Sequence, residues 1–149
     1  GANREVVVNE ASGQTDLRCE TNSHASALLV DASADQVAVG APLLLNQSAQ
    51  ALSGAGACNV TSYYTAVTTT DADALTLAAG TELGQLKKIQ MIVDGGDGTL
   101  TIADPVSASL DVITFADAGD YVLCIWNGTA WRVLELGNDA DGASAPGIA

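Results

Sequence analysis

The 149-residue chain carries 18 acidic residues against 5 basic ones, a net charge of −13, and 48% of its residues are hydrophobic. That apolar share excludes bulk disorder, the length is enough for one ordinary domain with a real core, and the charge opposes binding to nucleic acid phosphates or anionic lipid. No stretch approaches the roughly 18 consecutive apolar residues of a transmembrane helix, and no signal peptide is recognisable, so neither membrane nor DNA is an expected partner.

Along the chain, helical periodicity is almost absent. Short runs of Val, Ile, Leu and Thr, punctuated by Gly, Asp, Asn and Ser, predict strands at 4–9, 15–20, 26–31, 36–39, 60–68, 74–78, 86–93, 98–103, 110–115, 120–126 and 130–136. In 86–93, Leu86, Gln90 and Ile92 share one face, interrupted by Lys88; in 120–126 nearly every side chain is apolar, as in a strand covered on both faces. Asn127-Gly128 predicts a two-residue type I′ hairpin turn, and Asp94-Gly95-Gly96-Asp97-Gly98 predicts a second turn.

The predicted organisation is a strand-rich N-terminal assembly region at 1–40, a linker at 41–58 with a short helical turn around Asn46–Leu52, a β module at 59–136 and a C-terminal arm at 137–149. All six aromatic residues, Tyr63, Tyr64, Phe115, Tyr121, Trp126 and Trp131, follow residue 60. The fold class expected is all-β: an antiparallel β-sandwich or jelly-roll-like module with an extended N-terminal strand region and the arm, which would dock on a neighbouring subunit.

Residue chemistry points away from catalysis. His24 is the sole histidine and no G-x-S-x-G elbow accompanies it. Cys19, Cys58 and Cys124 are widely spaced and lie in or beside apolar stretches, which fits small buried hydrophobes in a reducing compartment better than a metal site. Gly95-Gly96-Asp97-Gly98 begins like a calcium β-roll repeat, but Leu100 stands where an Asp is needed and the repeat does not recur. The acids lie mostly in turns, which leaves no evident glycosidase pair. No cofactor is expected. Expected assembly contacts are Arg4, Val6, Val7 and Val8, which can add a strand to a neighbour's sheet edge, together with Tyr63, Trp126, Trp131 and Ile148. Trp126 and Trp131 have three readings: stacked core, subunit contact, or sugar platform.

The N-terminal block, Asp16-Leu17-Arg18-Cys19-Glu20, His24, Leu28-Leu29-Val30-Asp31-Ala32-Ser33 and Asp35-Gln36-Val37-Ala38-Val39-Gly40, resembles a segment of tail-fibre and other virion structural proteins of tailed phages, particularly marine ones. It departs from that pattern at Leu17, Leu29 and Ala38. The second block, through Ala74-Leu75-Thr76-Leu77, Gly84-Gln85-Leu86-Lys87-Lys88-Ile89, Ile113-Thr114-Phe115 and Asp120-Tyr121-Val122-Leu123, is similar to small virion proteins of such phages. The resemblance implies a structural part of a phage particle and carries over no catalytic residue. With the acidic charge it makes the leading expectation a non-enzymatic capsid decoration (cement) protein, a homotrimer bound to the major capsid protein on the outer capsid surface of the virion. The rival is a tail- or head-fibre module recognising host glycans; a polysaccharide depolymerase stands behind both.

Overall fold

A computed structural model of the chain describes residues 17–19, 28–31, 36–39, 49–103, 105, 111–140 and 145–148. The chain divides into two compact units, Gly1–Leu45 and Asn46–Ala149. In the first, β1 (Leu17–Cys19), β2 (Leu28–Asp31) and β3 (Gln36–Ala38) form an antiparallel three-stranded sheet in sequence order. Leu28, Val30 and Val37 remain exposed on it. The predicted strand at 4–9 lies outside the described residues.

Among its described residues the second unit holds ten strands: β4 (Gln50–Ser53), β5 (Gly56–Cys58), β6 (Tyr64–Thr68), β7 (Asp73–Leu77), β8 (Leu86–Val93), β9 (Gly98–Ile102), β10 (Val112–Phe115), β11 (Asp120–Trp126), β12 (Trp131–Asn138) and β13 (Gly147–Ile148). They make two five-stranded sheets, ordered β12-β11-β8-β6-β4 and β13-β10-β9-β7-β5. The central strands obey the two-residue period that the sequence displays: β7 and β9 bury alternate residues, and β11 buries Asp120, Val122, Cys124 and Trp126. The inward side chains of both sheets share one core, built from Val67, Ile89, Met91, Val122 and Cys124 on one side and Leu75, Leu77, Leu100, Ile113 and Phe115 on the other.

The all-β expectation holds, but antiparallel jelly-roll connectivity is not what forms. From β4 to β9 successive strands alternate between the sheets, so β4–β6, β6–β8, β5–β7 and β7–β9 all pair parallel. Parallel neighbours ordinarily need a long crossover. Here the crossover is the intervening strand of the facing sheet, and the chain makes three stacked coils of two strands each. Its direction then reverses: β10 runs antiparallel to β9, and β11 lies antiparallel to both β8 and β12. The Asp94–Asp97 turn is present, but it carries the chain from one sheet to the other.

Three further expectations are corrected. β4 and β5 occupy part of the predicted linker; Gln50–Leu52 is strand where a helical turn was expected, because Gln50 and Leu52 turn toward β6 and the core while Ala51 and Ser53 face out. The β11–β12 connection spans four residues, 127–130. The Asn127 carboxamide oxygen there accepts from the amides of Thr129 and Ala130 at 3.0 and 2.7 Å, and Gly128 takes φ of 95°. An Asx side chain thus organises a wider loop than the two-residue turn expected. In the tail, β13 pairs with β10 of its own chain, Ile148 opposite Ile113, so this part of the arm closes its own sheet.

Candidate interaction surface

Alternation decides what the sheet β12-β11-β8-β6-β4 shows to solvent. With Thr65, Val67, Lys87, Ile89, Met91, Val122 and Cys124 inward, the opposite phase places Tyr64, Leu86, Lys88, Gln90, Ile92, Tyr121, Leu123 and Ile125 outward. Register joins them into rows: Leu86 opposite Ile125 and then Arg132, and Tyr64, Lys88, Leu123 and Glu135 side by side across four strands. A β-bulge beside Leu123/Cys124 adds Leu134 to β12 and leaves it 55% exposed. Ile92 is 50% exposed on the same face.

A polar network crosses the middle of this face. The Tyr64 hydroxyl donates to Gln90 Oε1 at 3.0 Å, and Gln90 Nε2 donates to Asp139 Oδ1 at 2.5 Å. Lys88 Nζ lies 3.5 Å from Asp139 Oδ2 and 4.4 Å from the centre of the Tyr121 ring. The Tyr121 hydroxyl donates to Glu135 Oε1 at 2.6 Å. That hydrogen bond, followed by partial desolvation and the charges of Glu135 and Asp139, raises the Tyr121 phenol above its ordinary value. Burial, aided by Asp139, raises Tyr64 too. Tyr121 can lie flat across β12 because residue 137 is glycine: a Cβ there would stand 2.6 Å from the phenol oxygen. Of the three basic residues in 46–149, Lys87 is buried, Lys88 is half-buried and Arg132 is exposed; the two that reach solvent are both on this face.

Lys87 is 1% exposed, with its ammonium inside the sandwich. Nζ donates to the Ser62 carbonyl at 2.9 Å, to Ser62 Oγ at 3.2 Å and to Thr65 Oγ1 at 2.6 Å. The Thr65 hydroxyl donates in turn to Gln50 Oε1 at 2.9 Å, and Ser62 Oγ donates to Asn59 Oδ1 at 2.7 Å. Burial pushes the Lys87 ammonium down to about 8, partly opposed by Cys58; burial pushes the Cys58 thiol up to about 11, opposed by Lys87, and Cys124 up to about 12. Cys124 is the cross-strand partner of Lys87. These are nucleophile-type groups sealed from solvent, so the arrangement works as a polar plug in an apolar core.

The expected contact residues fall in three places. Arg4, Val6, Val7 and Val8 lie outside the described residues, as does His24. Trp126 and Trp131 are in the core, not at a subunit contact or sugar platform: they meet edge-to-face at 5.4 Å, and Trp131 is 2% exposed with its indole N–H donating to the Ala78 carbonyl at 2.8 Å. An indole with its one donor satisfied internally has no reason to face water. Tyr63 is half-buried in the β5–β6 loop, and Ile148 is 37% exposed on β13. Tyr63 therefore lies in a loop at one end of the sandwich rather than among the outward residues of the sheet face. Sequence reading missed Lys87, Tyr121 and Glu135. The 86–93 alternation held the signal for Lys87, since Lys87, Ile89 and Met91 share a phase.

Among the described residues no group of His, Cys, Asp and Glu is placed to hold a metal ion, and no helix is long and apolar enough to cross a membrane. No protein-family model matches the chain, and no curated protein matches it.

Proposed function

We propose that the chain is a non-enzymatic structural protein of a tailed-phage particle: a decoration protein that binds the major capsid protein on the outer shell surface, as a homotrimer, and stiffens the lattice. The observation that carries this reading is the outer face of β12-β11-β8-β6-β4. It combines exposed Leu86, Ile92 and Leu134 with half-buried tyrosines, half-buried Lys88 and exposed Arg132, the two cations of an otherwise acidic unit that reach solvent. An apolar, aromatic face with a few polar tethers is suited to protein contact rather than to solvation. The sealing of Lys87, Cys58 and Cys124 in the core supports a structural role, because the groups most altered by burial cannot reach a substrate. The phage resemblance of both sequence blocks supports the setting, and the charge of −13 suits a surface away from packaged DNA.

The test is binding of purified chain to capsids stripped of minor proteins. Saturable, stoichiometric binding with a gain in resistance to heat or low salt is expected. Particle imaging that finds the chain only on the tail or inside the shell would overturn the proposal.

One feature favours a second reading, a fibre module that holds host glycans: the three parallel coils β4–β9 stack as solenoids do, each contacting its neighbours. With Trp126 and Trp131 in the core, the aromatics left for a sugar are Tyr63, Tyr64 and Tyr121. A glycan array without signal removes this reading.

A further inference from the structure

We infer that the outer face of β12-β11-β8-β6-β4 is the contact between copies of this chain, with Arg132 of one copy set against Glu135 of the next. The inference rests on the assembly reading above for its biological setting and adds to its three-fold assembly a separate two-fold contact; its physical content is self-association in solution.

Three observations carry it. The first is charge. Copies with a net charge of −13 repel wherever acid meets acid, and close contacts are favoured where opposite charges are within a Debye length of about 8–10 Å. The cations of residues 46–149 that reach solvent, Lys88 and Arg132, are both on this face, and they stand beside Asp139 and Glu135. The face is thus locally balanced, two positive against two negative, on a body that is elsewhere acidic.

The second is the state of those charges. Lys88 is held by Asp139 and the Tyr121 ring. Arg132 is exposed, and no carboxylate among the described residues pairs with it. Glu135 is exposed and accepts a single hydroxyl, leaving a carboxylate oxygen open. Arg132 and Glu135 lie in adjacent outward rows of β12, opposite Ile125 and Leu123, with the bulged Leu134 between them. A two-fold axis lying in the plane of the contact, parallel to these rows and midway between them, interchanges them and sets the guanidinium of one copy opposite the carboxylate of the other, an isologous contact that makes a pair.

The third is area. Four strands about 4.8 Å apart and roughly 25 Å long cover about 500 Å². Two copies then bury roughly 1,000 Å², the lower bound for a specific interface. Leu86, Leu123, Ile125 and Leu134 form its apolar part, with the aligned rows supplying self-complementary shape.

The experiment is sedimentation of the full chain over a broad concentration range, with Arg132→Glu, Glu135→Arg, the double reversal and Leu134→Asp; circular dichroism and urea midpoints confirm that each variant is folded. Concentration-dependent association is expected for the wild type. Each single reversal, and Leu134→Asp, should raise the dissociation constant about tenfold or more. The double reversal should restore association, which a purely structural defect at either residue would not do. A wild type that stays monomeric, or an oligomer indifferent to all the variants, overturns the inference. Stripped capsids are assayed separately with the same samples. Self-association with no capsid binding leaves this contact standing and sinks the cement reading; capsid binding by a strict monomer does the reverse.

Discussion

Replacing Lys87 with methionine isolates the buried ammonium, because methionine keeps the unbranched apolar stem and removes the titrating group. Ser62 and Thr65 retain their bonds to Asn59 and Gln50 in the variant. Burial lowers the folded-state value of Lys87 from 10.5 to about 8, so across that window the unfolded chain binds more protons and stability rises with pH. Below the window the ammonium is charged in both states and its full desolvation cost is present. The buried thiols act in the opposite sense: Cys58 and Cys124 are raised from 9.0 to about 11 and about 12, so the stability they hold is complete below 9.0 and is lost as pH climbs toward those values. Both cysteines remain in Lys87→Met, so the difference between wild type and variant cancels most of their contribution. Between about pH 7 and about pH 9 the wild type should gain about 1 kcal/mol relative to the variant, from a limiting slope of about 1.4 kcal/mol per pH unit. The assay is urea unfolding of both proteins at the two pH values. A difference that stays constant would refute a lowered Lys87, and one that moves the other way would mean that the hydrogen bonds Lys87 donates to Ser62 and Thr65 outweigh burial.

Two other substitutions test the core and the face. Trp131→Ala removes an edge-to-face partner and a satisfied indole donor from a site 2% exposed, and should cost about 3–5 kcal/mol in urea unfolding; a near-neutral result would return Trp131 to the list of surface contacts. Gly137→Ala puts a methyl group 2.6 Å from the Tyr121 phenol oxygen. It should lift the ring off β12, break its bond to Glu135 and lower the phenol titration toward its ordinary 10.0, read by ultraviolet absorbance against the wild type.

The longest apolar runs of the second unit were legible as strands: 86–93 and 120–126 coincide with β8 and β11, although β11 is buried on one face only, with Tyr121, Leu123 and Ile125 half-buried on the other, where its apolar run suggested cover on both. The short ones were hidden. Gln50–Ser53 and Gly56–Cys58 are rich in Ala, Gly and Ser, and gain strand structure by pairing with β6 and β7 rather than from their own preference. The site was legible only in fragments. Tyr64, Lys88, Leu123 and Glu135 belong to four strands spread over more than seventy residues, and no local pattern says that they share a row.

The sequence by itself determined that this protein is all-β, where its strongest strands and turns fall, and that its surface is acidic, because side-chain period and composition are local properties of the chain. The tertiary structure decided the rest. A turn that folds back within a sheet and one that crosses to the facing sheet use the same Gly, Asp and Asn residues, so only long-range packing made the β4–β9 pairs parallel. It also decided that Lys87 goes inside while Lys88 stays out. Alternation forces adjacent residues to opposite faces, but which face becomes core depends on the sheet that comes to lie against it.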